Sequence, residues 1–188
     1  MANIKVITPP TLTNVLTQAE LRLHCRIDGT ALDGPLQIAL AGAHAMAEHY
    51  TGTSIGAQVL ELALDGFPCG AIRLTQGPVT SITSISYADT SGVLQTLGSN
   101  AYMLDDHAVP AWTAPAVGTG WPDTLAAVNA VKVRYNAGVD AVDPAVKSAL
   151  LLLVAHLVNN AEAVTRGATV ELPFGVKALL DTVRDWTM

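Results

Sequence analysis

Asp143-Pro-Ala-Val-Lys-Ser-Ala-Leu-Leu-Leu-Leu-Val-Ala-His-Leu-Val-Asn-Asn-Ala-Glu-Ala-Val164 is the stretch on which the fold turns. Its opening residues predict a helix start: Asp143 can cap, and Pro144 suits the first helical position, where a missing N–H costs nothing. Val146, Leu150, Leu153 and Leu157 recur at helical spacing, while Ala149, Leu151, Leu152, Val154 and Val158 add apolar atoms on the other faces. A helix of that kind is buried on more than one side. It would span about 30 Å. Burying its Leu and Val side chains at roughly 2 kcal/mol each rivals the net stability of a small domain before entropy is charged. Other elements are expected to close around this spine.

Composition narrows the class. The 188 residues are 50% hydrophobic and 14% charged, which no disordered class matches, and are enough to bury a real core. With aromatics at 5%, the apolar mass is Ala, Leu and Val, suited to close helix packing and to oligomer contacts. Ten basic against sixteen acidic residues leave a net charge of −6, and the basic residues are scattered. Tight binding to a phosphate backbone needs a basic stripe, and none is written here; Lys132 and Arg134 share a strand face but read as a solvated pair. Cys25 and Cys69 lack metal-ligand spacing and read as free thiols in a reducing compartment. No apolar run suits a signal peptide or a membrane span, so the chain reads as soluble and intracellular.

Working outward from the spine, residues from about 57 to 136 alternate rather than follow helical spacing. Val59 to Leu64, Ala71 to Leu74, Val79 to Tyr87 and Val93 to Leu97 are predicted strands, with a bulge near Thr83 and Ser84, where Ile82 falls out of phase. Asp89-Thr-Ser-Gly92 is hairpin chemistry. Ala101 to Leu104 and Val109 to Trp112 are short strands, and Thr113 to Ala126 reads as a long irregular loop of the kind that tends to be functional. Ala130 to Tyr135 alternates cleanly. Ahead of this insertion, Ile4 to Ile7 is extended, and Thr17-Gln-Ala-Glu20 is a capping box opening a helix from Ala19 to about Cys25, with Leu16 as a staple. A second helix starts with Asp33 as cap and Pro35 in its first turn, and ends at Thr51-Gly52. Its Ala41-Gly42-Ala43 centre is the expected dock for the spine. Arg166-Gly167 breaks the chain after the spine, and a terminal amphipathic helix follows Glu171 with Val176, Leu179, Leu180 and Val183 inward. The reading is one α+β domain: a helical bundle from 17–52 and 143–186 with an inserted antiparallel sheet.

Chemistry finds little purchase. There is no Gly-x-Ser-x-Gly elbow, phosphate-cradling glycine loop or His-Glu-x-x-His. His24 and Cys25 are adjacent on a helix and point about a hundred degrees apart, so they cannot act as base and nucleophile. His44 and His49, five apart, miss the spacing of a shared face. His156 reads as a core or interface histidine, and Asp105-Asp106-His107 as a solvated turn. No catalytic residue, metal or cofactor is assigned. Trp112 and Trp121, in or beside the long loop, suit either interface anchors or covers for the sheet.

Several segments nonetheless match a known pattern in order and spacing: Leu16 to Asp28, Ala47-Glu-His-Tyr-Thr-Gly52, Leu64-Asp-Gly-Phe-Pro68, Gly77-Pro78-Val79 with Ser84-Ile-Ser-Tyr87, Pro144 with Leu150 to His156, and Glu171-Leu-Pro-Phe174. Together they make the chain resemble the head-tail connector (adaptor) proteins of tailed bacteriophages. The first loop departs from the pattern, carrying Asp33 where an acidic pair is expected. The resemblance implies a structural virion protein forming a ring, a dodecamer matched to the portal protein, between portal and a tail-side connector or stopper protein. DNA would pass through without specific binding, no membrane would be involved, and the isolated chain could be monomeric until assembly in the host cytoplasm. The candidate partner interface is Trp112, Trp121, Leu172, Phe174, Leu179, Leu180 and Trp186, with the segment Leu172 to Trp186 reaching a neighbour or the portal. The rival reading is a small enzyme or ligand-binding protein with its pocket between the sheet and the 113–126 loop.

Overall fold

The computed structural model describes residues 3–160 and 174–186. They form two compact units, one from the described residues of Met1–Pro10 and Ala57–Val139, the other from those of Thr11–Gly56 and Asp140–Trp186. The fold is mixed α and antiparallel β, with five helices among the described residues.

The first unit carries eight strands: β1 (Asn3–Thr8), β2 (Gln58–Leu64), β3 (Ile72–Leu74), β4 (Val79–Ala88), β5 (Leu94–Thr96), β6 (Tyr102–Asp105), β7 (Ala111–Pro115) and β8 (Val131–Ala137). Five of them make a sheet in the order β1-β2-β8-β4-β5, and three a second sheet in the order β3-β7-β6. Alternation sets the inward face: Leu60 and Leu62 of β2, Val131, Val133 and Tyr135 of β8 and Ile85 of β4 are buried, and their neighbours face outward. The β4–β8 register slips twice, between Val79 and Ser81 and between Ile82 and Ser84. The second slip is the bulge expected at Thr83 and Ser84, and it returns Ile85 to the core. Burial pushes the Tyr135 phenol up, and its hydroxyl donates to the Thr75 carbonyl at 2.8 Å. The extended N-terminal segment is β1, antiparallel to β2 at one edge of the larger sheet. The long irregular loop starts later than expected, because Thr113 to Pro115 pair with β6 and belong to β7.

The second unit contains α1 (Leu12–Val15), α2 (Gln18–Cys25), α3 (Asp33–Thr51), α4 (Pro144–Asn159) and α5 (Phe174–Leu180). The capping box of α2 is complete: Thr17 accepts from the Glu20 amide and Glu20 accepts from the Thr17 amide at 2.7 Å. In α4, Asp143 accepts from the Ala145 amide at 2.7 Å and Pro144 opens the helix. The predicted continuation of the spine from Ala161 to Val164 lies outside the described residues. Leu21, Leu36, Leu40, Ala43, Val146, Leu150, Leu153, Val176 and Leu180 share one core, so both helical halves of the sequence contribute to it.

One local expectation is corrected, and the expected dock of the spine on Ala41-Gly42-Ala43 is made more specific. Asp33 is the first residue of α3 rather than its cap: Leu32 occupies the cap position and makes no side-chain capping bond. The Asp33 carboxylate accepts instead from Arg22 and Gln18, since a guanidinium in reach outcompetes a backbone amide for a charged acceptor. Gly42 is exposed, and an added Cβ would touch only Leu157 Cδ1, at 3.8 Å. The fully buried Ala43 is the small residue that lies in the core shared with α4.

Candidate functional site

In the sheet unit, the turn after β2 brings Phe67 against the long loop. Trp121 stacks on Phe67, with centroids 4.8 Å apart and planes at 5°, and Tyr87 meets Phe67 edge to face at 5.6 Å. The Trp121 Nε1–H donates to the Gly70 carbonyl at 2.7 Å, which ties the loop to the turn. Beside this stack lies an open recess of about 470 Å³ lined by Phe67, Pro68, Cys69, Pro115 and 119–124. Its charged lining residue is Asp123. A second recess of about 570 Å³ shares Phe67 and Pro68 and is bounded by Leu62, Leu64, Ile72 and Trp112. Trp112 is 38% exposed on the outer face of the smaller sheet, directly opposite Arg73 of β3 and Asp105 of β6. The two tryptophans therefore differ: Trp121 is committed to packing within the chain, whereas Trp112 presents ring surface.

The second cluster lies at the end of α3. Arg184 is sandwiched between two rings, its guanidinium carbon 4.7 Å from the Tyr50 centroid and 4.6 Å from that of Trp186. The Tyr50 hydroxyl donates to Asp181 Oδ1 at 2.8 Å, which holds the phenol's pKa up because an ionised phenolate would face a carboxylate. The Asp185 amide donates to the Thr51 carbonyl at 2.8 Å. These bonds fasten the end of the chain to α3 and leave Trp186 68% exposed. Phe174, at the start of α5, is 88% exposed, while Leu180 is fully buried and Leu179 packs against the same core. Leu172 lies outside the described residues. The sequence did not single out Tyr50 or Arg184 as partners of Trp186, and its one usable signal was the Arg-x-Trp spacing at the terminus.

His44 and Cys25 are held by packing, whereas His156 and Cys69 are exposed. His44 is buried and lies 2.6 Å from the Ile55 carbonyl through Nε2; a carbonyl only accepts, so Nε2 carries the proton. His156 is exposed, with Asn160 donating to its backbone carbonyl at 2.9 Å. Burial raises the Cys25 thiol pKa, opposing the thiolate a nucleophile needs. Among the described residues, no group of three or more His, Cys, Asp and Glu side chains could hold a metal ion. No described helix is long and apolar enough to cross a membrane.

No family model and no curated protein matches the chain. Its fold matches solved structures along nearly its whole length. A chain in the neck of an empty gene transfer agent (GTA) particle, computed with C6 symmetry, superposes with a TM-score of 0.79 at 24% identity, covering 97% of this chain and 95% of that one. A chain in the virion of a native GTA particle gives 0.76 at 24% identity over 96% and 94%. One in the neck of the native GTA particle, computed with C12 symmetry, gives 0.72 at 25% identity over 98% and 94%. The described fold is thus one also found in chains of GTA particle necks.

Proposed function

We propose that this chain is a structural virion protein of the head-tail connector (adaptor) type, a subunit of the ring between a portal protein and a tail-side protein. The observation that carries the reading is the whole-length fold match to chains of GTA necks, which have been solved with C6 and C12 symmetry. The connector-like segments of the sequence support the same class from an independent direction. In this reading the helices form a bundle that serves as the ring body, twelve copies match the portal, and DNA passes through without being gripped. The exposed aromatics Trp112, Phe174 and Trp186 are the side chains best placed to anchor partners, because large rings can be desolvated at low entropic cost. Trp121 and Leu180 instead hold the subunit together.

The test is electron microscopy of the protein mixed with its portal, with multi-angle light scattering on the protein alone. Rings with the symmetry of the portal are expected in the mixture, whether the isolated chain is monomeric or not. A mixture that forms no complex would overturn the reading. The aromatic anchors are tested by F174A/W186A, preferable to removing the terminal segment because Val176 and Leu180 belong to the core. Loss of portal binding by a folded F174A/W186A variant is expected, and undiminished binding would exclude these rings as anchors.

A further inference from the structure

The outer face of the five-stranded sheet has a charge opposite to that of the whole chain. Lys5 of β1, Glu61 of β2 and Arg134 of β8 lie in one cross-strand row, and Lys132 lies one step along β8 on the same face, opposite Ser86. Arg134 Nη2 is 2.6 Å from Glu61 Oε2, which satisfies the one carboxylate in that set. Lys132 stands exposed opposite Ser86 of β4, and Lys5 stands exposed on the edge strand β1. Three cations against one carboxylate leave the face two charges positive, although the chain carries −6. The sheet unit's remaining acids, Asp65, Asp89, Asp105, Asp106 and Asp123, lie at strand ends or beyond them in turns.

The helical unit carries the complement. Around the start of α4, Asp140 and Asp143 are exposed, and Lys147, one turn on, draws Glu20 to within 4.0 Å. Asp140 accepts from Asn14 Nδ2 at 3.4 Å, and its carboxylate and that of Asp143 give this corner its acidic character.

We propose that the positive sheet face of one copy docks on the acidic start of α4 in the next copy. The proposal rests on the ring reading above and names the surfaces that would build it. Two different patches of one chain, complementary to each other, make a heterologous contact, the kind that closes into a ring when its rotation permits. Charge complementarity sets register and excludes the reversed contact, in which like faces would meet.

Charge-swapped variants test it. K5E/K132E turns the sheet face negative, and D140K/D143S turns the corner positive while serine keeps a capping hydroxyl at position 143. Sedimentation velocity over a concentration series, at low and high salt, compares each variant, the equimolar mixture and the unmodified protein, with circular dichroism checking the fold. Expected are association of the unmodified protein that weakens about tenfold or more with added salt, none by either variant alone at the same concentrations, and association restored in the mixture. Variants that assemble alone like the unmodified protein would overturn the proposal. So would folded variants whose mixture stays monomeric at concentrations where the unmodified protein associates; where the unmodified protein is itself monomeric, the rings formed with portal decide. Binding of a short DNA duplex that K5E/K132E abolishes, with assembly untouched, would assign the face to nucleic acid and overturn it as well. Rings with portal that survive both swaps would sink this docking and leave the ring reading standing; no portal complex with the unmodified protein would sink the ring reading itself.

Discussion

Gly42 offers a sharp test of how α3 meets α4. Glycine inside a helix costs about 1 kcal/mol relative to alanine, because it surrenders more backbone freedom on folding. Here the methyl of alanine would meet only Leu157 Cδ1, at 3.8 Å, an ordinary van der Waals contact that needs no rearrangement. Gly42→Ala should therefore stabilise the isolated protein by about 1 kcal/mol, raising the midpoint of the helical transition by roughly 2–4 °C. Ala43 provides the contrast. It is fully buried in the core shared with α4, so Ala43→Leu must displace packed side chains and should cost about 1–3 kcal/mol. Urea denaturation followed by far-ultraviolet circular dichroism reads both changes. Destabilisation by Gly42→Ala would refute the reasoning, since it would mean that, within the Ala41-Gly42-Ala43 dock the sequence suggests, residue 42 as well as residue 43 is closely packed.

Further outcomes follow from the same geometry. Leu153→Ala, at a side chain 1% exposed, should lose about 2–5 kcal/mol, whereas Leu152→Ala, 42% exposed on the neighbouring face, should cost much less; equal losses in urea melts would mean α4 is buried on both faces. Trp121→Phe keeps a ring to stack on Phe67 but removes the 2.7 Å bond to the Gly70 carbonyl, which should cost about 1 kcal/mol and loosen the loop to proteolysis, and an unchanged cleavage rate would count against that tie. The hydrogen bonds from Arg22, with Gln18 assisting, hold the Asp33 carboxyl below its usual value of 3.8. A depressed carboxylate contributes its stability above the unfolded value and loses it as pH falls through the folded one. The stability gap between the unmodified protein and Asp33→Asn should thus be flat near neutrality and close below about pH 4 in acid titrations of the melting temperature; a gap that persists at pH 2 would contradict the pairing.

Where a signal is local, the sequence is enough. Asp143-Pro144 and Thr17 with Glu20 mark helix starts because each cap is closed within three residues of itself. Val131, Val133 and Tyr135 declare a half-buried strand because their pleat period is intrinsic to the backbone. The bulge on β4 is legible for the same reason, since it must repair a phase error visible along one strand. The inward set of α5 is equally plain from its spacing, and it makes Leu179 and Leu180 packing residues. What lies between distant residues had to come from the tertiary structure. Only there does the N-terminal segment become the strand beside β2, and Asp33 leave its helix cap for Arg22, a choice set by a guanidinium eleven residues away. Trp121 and Trp112 look alike in the chain, yet one is consumed by Phe67 and Gly70 and the other faces outward. Likewise, the scattered lysines and arginine of two strands become one positive face only when strand order sets them on the same side of the sheet. Periodicity determines which side of an element is apolar; which partner that side or its opposite meets depends on contacts whose energies are summed over the whole fold.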